Sequence, residues 1–360
     1  MAEPIAREKE YVNLLLELSL NPGNAASMVP LVEQLNIRQR EDLLVLADCH
    51  HIILRSFETL LRAVPDKDSD TAQWLAQSIA SEKTRIANAL DHLSQICEEL
   101  ENAGCPVVVM KSLDHWPDIG NDLDLYTTGD EENVHKIFLE KFAARLEAPS
   151  WGDRLAHKSN FAIPGLRELV EVHVQRLGQT GEHTTLARRF VRRRVSVKLG
   201  GYRFFVPAPE ERVIVATLQR MYRHFYARVC DIVNIAQLVD SHMVDFEELQ
   251  LASESAGIWQ GVATFLVIVS DYVRRYRGYG LELPVAVAQA ARFGGSLVVT
   301  RKRFLRIPMW PQGARLYTSQ LAQTALRGKA AAVFRLSLLP GLASAAAVAA
   351  KITGSDKGIW

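Results

Sequence analysis

The sequence predicts an α+β protein in which a small mixed sheet lies between two helical regions. Apolar residues keep a helical spacing over most of the first hundred positions. Short β-branched and alternating runs replace that spacing between residues 104 and 206, and helical spacing then returns. We therefore expect an N-terminal helical region over residues 1–103, an α/β core over residues 104–206 and a C-terminal helical region over residues 207–360.

Two long helices are predicted after residue 40 in the N-terminal region. The first carries apolar residues at helical spacing from residue 41 and ends at Pro65. Ser69 or Asp70 can cap the start of the second helix, because a short polar side chain there accepts a hydrogen bond from the first turn. Gly104 is expected to end this second helix, since glycine readily adopts the left-handed conformation that follows a helix.

The central region is predicted to contain the sheet. Residues 106–110 form a fully apolar, β-branched run typical of a buried strand, and residues 122–126 alternate polar and apolar side chains. Residues 130–146 predict a helix. Residues 161–163 and 169–174 predict two further strands.

The core is predicted to end in a hairpin, after which the chain returns to helices. Residues 195–198 and 202–206 flank two consecutive glycines, which is a hairpin signal. Pro209 lies at the expected start of the next helix, where proline is favoured. From there to about Tyr276 we predict helices throughout, and helices also over most of the remainder.

No transmembrane segment is expected. The apolar run of residues 333–350 is interrupted by Arg335, Pro340 and Gly341, and a membrane span needs about 20 predominantly apolar residues. The run therefore predicts a packed pair of helices. The N-terminus is charged and lacks the apolar core of a signal peptide, and the four cysteines show no C-x-x-C spacing, so we expect a cytoplasmic protein with reduced thiols.

Asp122 and Asp124 are the strongest candidates for a functional site. Side chains two positions apart in a strand point to the same face, so these two carboxylates lie side by side while Leu123 and Leu125 point into the core. Adjacent carboxylates repel each other unless a cation lies between them, and oxygen ligands suit Mg²⁺. Glu171, in a later strand, offers a third carboxylate. The three acids predict a metal site.

Three further polar residues are candidates for accessory roles. His173 lies on the same strand face as Glu171, where it can orient that carboxylate, contact a substrate or serve the structure alone. His224 and Asp231 are seven residues apart, about two helical turns, and so share a helix face. They can close over the site or make ordinary polar contacts.

A turn before the acidic strand completes the pattern that suggests a family. Nine residues separate Ser112 of the Lys111-Ser112 turn from Asp122. This arrangement resembles the DNA-polymerase-β-like nucleotidyltransferase superfamily, in which a Gly-Gly or Gly-Ser turn precedes an Asp-apolar-Asp/Glu-apolar strand. An uncharacterised bacterial branch has Lys-Gly in the turn and a later acid-apolar-His strand, to which Glu171-Val172-His173 is similar. Here serine replaces the glycine of the turn.

The resemblance implies transfer of a nucleoside monophosphate from an NTP to an acceptor, with release of pyrophosphate. It implies that Asp122, Asp124 and Glu171 hold Mg²⁺, with Mn²⁺ as the alternative, and that Lys111 and Ser112 contact the triphosphate. The acceptor stays open among a small molecule, a sugar, a peptide, a protein and an RNA end.

Two other classes of function compete with this interpretation. A catalytically inactive binding or scaffold protein of the same fold is favoured by the Lys-Ser turn, which is less open to a phosphate than Lys-Gly. A nucleic-acid binder could use the arginine runs at residues 188–194 and 301–306. The formal net charge of +1 counts against that class, and we expect no stable nucleic-acid complex.

Overall fold

A computed structural model describes residues 3–149, 151–178 and 183–353. The helical prediction for residues 354–360 lies outside these ranges, as do the first two residues of the N-terminus. The helices, numbered in chain order, are α1 (Glu3–Leu20), α2 (Ala25–Glu33), α3 (Ile37–Cys49), α4 (Ile53–Ala63), α5 (Asp70–Asn102), α6 (Glu131–Lys141), α7 (Trp151–Ala156), α8 (Thr184–Arg192), α9 (Pro209–Thr217), α10 (Val229–Asp240), α11 (Phe246–Ser255), α12 (Trp259–Arg277), α13 (Val285–Ala290), α14 (Ala314–Leu326) and α15 (Ala330–Thr353). The strands are β1 (Val107–Met110), β2 (Asp122–Thr127), β3 (Arg145–Leu146), β4 (Lys158–Ala162), β5 (Leu169–Val174), β6 (Val195–Leu199), β7 (Tyr202–Val206), β8 (Tyr226–Ala227), β9 (Val299–Arg301) and β10 (Phe304–Arg306).

The first predicted helix of the N-terminal region is divided in two. α3 ends before His50, and α4 begins after His51, whose φ of 52° lies in the left-handed region. The ring of His50 explains the break, because both of its nitrogens bind backbone outside the helix. The N–H of Val229 donates to Nδ1 at 3.0 Å, and Nε2 donates to the carbonyl of Arg303 at 2.8 Å.

α5 confirms both of its predicted ends. The hydroxyl of Ser69 accepts a hydrogen bond from the backbone N–H of Ala72 at 3.2 Å, as an N-cap does. Gly104 has a φ of 73° just beyond the last turn, where the chain leaves the helix for β1.

The central sheet is mixed, in the order β1-β2-β5-β4-β3. β1 pairs with β2 antiparallel, β2 pairs with β5 parallel, and β4 pairs antiparallel with both β5 and β3. β1 is buried along its whole length, and β2 is buried from Leu123 onward. The α+β class and the mixed sheet are therefore confirmed, and the parallel β2–β5 pair positions the acidic side chains.

The helix predicted over residues 130–146 is too long. α6 ends at Lys141, Ala143 adopts a φ of 47°, and Arg145–Leu146 is a strand that pairs with β4. Tertiary pairing thus overrides a local helical pattern here. The predicted hairpin is confirmed as β6 and β7, and β7 packs against β1 and α5.

Two predictions for the C-terminal region are wrong. β8, β9 and β10 form a small antiparallel sheet in a region that we expected to be mainly helical, because Lys302 and Arg303, both at positive φ, turn β9 back onto β10. α15 continues through Pro340 as one helix, although proline removes a backbone hydrogen bond there. Within the described ranges, no helix is both long and apolar enough to cross a membrane.

Candidate active site

Two carboxylates face each other across the parallel pair of strands. In the register of β2 and β5, Asp124 lies opposite Glu171. Asp122 lies two residues before Asp124 on the same strand, and all three acids line one cavity of about 250 Å³. The predicted acids are therefore brought together by the sheet, as the strand pattern indicated.

Lys111 lies at the turn between β1 and the acidic strand. Its Nζ is 2.5 Å from Oδ1 of Asp124, and both side chains are largely buried. Its φ of 47° and ψ of −52° place the backbone in a region that disfavours side chains other than glycine. The turn is thus held in a strained conformation that points an ammonium group at the acidic cluster.

Ser112 fixes this turn to β2 through two hydrogen bonds. Its hydroxyl donates to the carbonyl of Asp122 at 3.0 Å and accepts from the backbone N–H of Asp124 at 2.8 Å. The side chain is buried, and the single hydroxyl proton is committed to the strand. The structure thereby gives Ser112 a positioning role, and its contact with a phosphate stays a prediction.

Glu171 is bound at both carboxylate oxygens. Lys158 donates to Oε2 at 2.8 Å, and Nε2 of His173 lies 2.8 Å from Oε1. Lys158 also pairs with Asp153 at 3.0 Å. Sequence reasoning missed Lys158, because only the antiparallel register of β4 and β5 brings it to Glu171.

Burial and crowding govern the protonation of this cluster. Burial raises the pKa of Asp124 to about 7, against the opposing charge of Lys111. Burial and repulsion from Glu171 also raise the pKa of Asp122. Burial alone would raise the pKa of Glu171, but the hydrogen bond from His173 and the nearby lysines hold it well below its usual range. Burial lowers the pKa of His173, against the opposing effect of its hydrogen bond to Glu171.

The donor set fits a divalent cation. Asp124, Glu171 and His173 offer ligand atoms that all lie within 4.8 Å of one another. Two carboxylates suit Mg²⁺ and Mn²⁺, whereas Nε2 of His173 already hydrogen-bonds Glu171 and so orients this acid. Asp122 is not part of this group, although it lines the same cavity and adds negative charge.

Another part of the cavity lining is basic. It is formed by arginines of α9, the π-helical segment Leu218–His224 and the start of α10, namely Arg212, Arg220, Arg223 and Arg228. Arg212 pairs with Asp114 at 2.6 Å and Arg220 with Asp231 at 2.7 Å. Nε of Arg228 is buried without a hydrogen-bond partner in the described part of the chain. This arginine wall shares the cavity with the acids and was missed by sequence reasoning.

The two accessory candidates downstream also line the cavity. Asp231 accepts from the backbone N–H of Arg228 at 2.6 Å and so joins the arginine wall to the first turn of α10. Burial, reinforced by neighbouring arginines, lowers the pKa of His224 to about 2, so its ring is neutral. By contrast, Arg189 and Arg193 of the arginine run at residues 188–194 pair with glutamates of α9 and α11.

The fold and this acidic site define a nucleotidyltransferase-like protein. Residues 38–273 match the model of a family described as uncharacterised nucleotidyltransferase, and the chain belongs to that family. The family assignment made from the sequence is thereby confirmed. The matched residues include the acidic cluster and the arginine wall.

Similarity to a solved structure is weak. The chain is similar to an antigenic nucleotidyltransferase-like protein from Paracoccidioides brasiliensis, with 17% sequence identity over 48% of this chain and 88% of that chain, at a TM-score of 0.33. No curated protein matches the chain significantly.

Proposed function

We propose that the protein transfers a nucleoside monophosphate from an NTP to an acceptor and releases pyrophosphate in a metal-dependent reaction. One observation carries the proposal: Asp124 and Glu171 lie opposite each other in the strand register and line a cavity that four arginines also line. A polyanion that brings its own metal ion needs acids for the metal and cations for the phosphates.

The side chains divide into metal-binding and phosphate-binding groups. Asp122, Asp124 and Glu171 would hold Mg²⁺, or Mn²⁺, which when bound neutralises charge on the transferring phosphoryl group. Lys111 and the arginine wall bind the triphosphate oxygens, since guanidinium and ammonium groups neutralise phosphate. Catalysis is then mostly positioning and charge neutralisation.

The proposed transfer changes no oxidation state, so it needs no redox partner. The acceptor oxygen forms a bond to the α-phosphorus of the NTP. The bond from that phosphorus to the β-bridging oxygen breaks, and pyrophosphate leaves with the electron pair. The acceptor's proton passes to water.

The first experiment is calorimetric titration of each NTP with and without Mg²⁺. We expect metal-dependent binding by the wild type and its loss in Asp122→Asn and Asp124→Asn. Asp70→Asn, an exposed acid far along the chain, is the matched control and binds normally. Absence of NTP binding by a folded wild type, in either condition, would exclude the proposed activity.

A catalytically inactive scaffold is the second candidate, and a specific observation favours it. Lys111 already neutralises Asp124, and Lys158 already neutralises Glu171. The site is thus charge-compensated by the chain itself. NTP binding that needs no metal, with no pyrophosphate released in the presence of many acceptors, would support this candidate.

A further inference from the structure

A second cavity of about 450 Å³ adjoins the acidic one. Lys111, Gln219 and Arg223 line both cavities, so the two spaces meet at the turn that carries the ammonium group. Away from this junction the second cavity is lined mainly by hydrocarbon and aromatic side chains, including Leu186, Phe190, Val215, Leu218, Phe225 and Leu336. A mostly apolar cavity with a few polar groups at one end is typical of a site for a small organic ligand.

His173 provides the polar group at the junction. Its Nε2 hydrogen-bonds a carboxylate oxygen of Glu171 and is therefore the nitrogen that carries the proton, so Nδ1 of the imidazole is the acceptor. Nδ1 is buried and has no hydrogen-bond partner among the residues described. His173 lines the apolar cavity and not the acidic one. A buried acceptor without a partner is costly, and a ligand hydroxyl in this cavity would satisfy it.

The mouth of the cavity presents large apolar side chains to solvent. Trp310 is 82% exposed and Met309 is 61% exposed, and both line the cavity. Adjacent exposed side chains of this size are typical of sites that contact apolar ligands.

We infer that this apolar cavity holds the body of the acceptor, an amphiphile whose hydroxyl donates a hydrogen bond to Nδ1 of His173. The inference rests on the proposed nucleotide transfer. The hydroxyl then lies at the ring of His173, whose other nitrogen contacts Glu171, with the hydrocarbon part directed toward Trp310. The hydroxyl oxygen forms the bond to the α-phosphorus, pyrophosphate departs with the electron pair of the broken bond, and the proton passes to water.

A nucleobase is the rival occupant of the cavity. A base has polar edges that must be hydrogen-bonded when buried, and most of this lining is hydrocarbon. An alkyl or aromatic body carries no such requirement. The lining thus favours the acceptor over the base.

Octan-1-ol is a suitable probe, titrated by calorimetry with and without saturating NTP and Mg²⁺. We expect wild-type protein to bind it equally in both conditions. Val215→Trp, which fills the cavity, should weaken binding at least tenfold. If that variant does not fold, Ala314→Phe, which fills the cavity from another wall, takes its place in the test. Val285→Trp, at a valine 70% exposed elsewhere, is the matched control and should bind normally.

The hydroxyl contact is tested by comparing octan-1-ol with octyl methyl ether, which cannot donate a hydrogen bond. The wild type should prefer the alcohol severalfold, and His173→Leu should lose this preference while it still binds both. Equal affinity of the wild type for alcohol and ether would overturn the contact.

The outcomes separate this inference from the proposed function. Displacement of octan-1-ol by NTP would assign the cavity to the base and overturn the acceptor role. Failure of octan-1-ol to bind a protein that binds NTP with Mg²⁺ would overturn the inference alone. Octan-1-ol binding without any NTP binding would remove the proposed transfer and, with it, the acceptor role.

Discussion

Asp124 and Glu171 lie opposite each other on parallel strands, and each is already paired with a lysine of this chain. Nζ of Lys111 is 2.5 Å from Oδ1 of Asp124, and Nζ of Lys158 is 2.8 Å from Oε2 of Glu171. The two ammonium groups reduce the repulsion between buried carboxylates that would otherwise disfavour the fold. A divalent cation must therefore compete with them, or bind the carboxylate oxygens they leave open.

Replacing Lys111 should strengthen metal binding and weaken nucleotide binding. Without the ammonium, Asp124 is free to bind Mn²⁺, and we expect an affinity gain of about tenfold for Mn²⁺ in the absence of nucleotide, with a loss of similar size for NTP. Titration of Mn²⁺ followed by electron paramagnetic resonance measures the first effect. Lys198→Met, at an exposed lysine, is the control, and an unchanged Mn²⁺ affinity in Lys111→Met would contradict the competition.

Lys111→Gly and Lys111→Met form a matched pair that isolates backbone strain. Both lose the ammonium, but only glycine adopts a φ of 47° without cost. We expect Lys111→Gly to be more stable than Lys111→Met by about 1–3 kcal/mol in denaturant unfolding. Equal stability of the two variants would show that the turn relaxes.

Ser112→Ala should destabilise the protein because it breaks the bridge between the turn and β2. The backbone N–H of Asp124 loses its hydrogen-bond partner in a buried position, which costs about 1–3 kcal/mol. Urea unfolding measures the change, and Ser81→Ala, on an exposed face of α5, should stay within about 0.5 kcal/mol of the wild type. A neutral result for Ser112→Ala would mean that water replaces the hydroxyl.

The elements that the sequence predicted correctly are those with local signals. The apolar run of β1, the alternation in β2 and the caps of α5 each depend on a few neighbouring residues. The breaks that were missed depend on distant contacts: His50 ends α3 because it binds Arg303 and Val229. In the same way, β8 becomes a strand only because β10 lies beside it.

The same difference between local signals and distant contacts explains which residues of the site the sequence predicted. The acids were visible because two of them share one strand, at a spacing of two residues. The arginine wall was not, because Arg212 lies on α9 and Arg228 directly before α10, and both reach the cavity only after those helices pack together. Lys158 is visible only from the register of β4 against β5.

Arg228 and Arg220 should respond differently to substitution. Among the residues that the structure describes, Nε of Arg228 is buried without a hydrogen-bond partner, whereas Arg220 is buried in an ion pair with Asp231. We expect Arg228→Met to weaken NTP binding about tenfold with little change in stability. Arg220→Met leaves a buried charge unpaired and should lower stability by about 3 kcal/mol or more. Calorimetry and urea unfolding of both variants measure the contrast, and an NTP affinity unaffected by Arg228→Met would remove this arginine from the phosphate site.

Acid should destabilise the fold through His50, which joins three parts of the chain. Burial lowers the pKa of this ring to about 4, from about 6.5 in the unfolded chain. Between these values the unfolded state binds more protons than the folded state, so the free energy of unfolding falls as the pH falls. Its contribution is fully present above pH 6.5, and about 3 kcal/mol of it is lost by pH 4.

The test compares urea unfolding of the wild type and His50→Gln from pH 7.5 down to pH 4.5. Glutamine can donate and accept a hydrogen bond but does not titrate in this range, so the variant should show a shallower dependence on pH. His51 and His115 add to the slope in both proteins, because burial also lowers the pKa of each ring. The difference between the two curves therefore isolates His50. Parallel curves would show that folding does not lower the pKa of His50, and the role of its ring as a neutral bridge from α3 to α10 and the turn at Arg303 would then have to be abandoned.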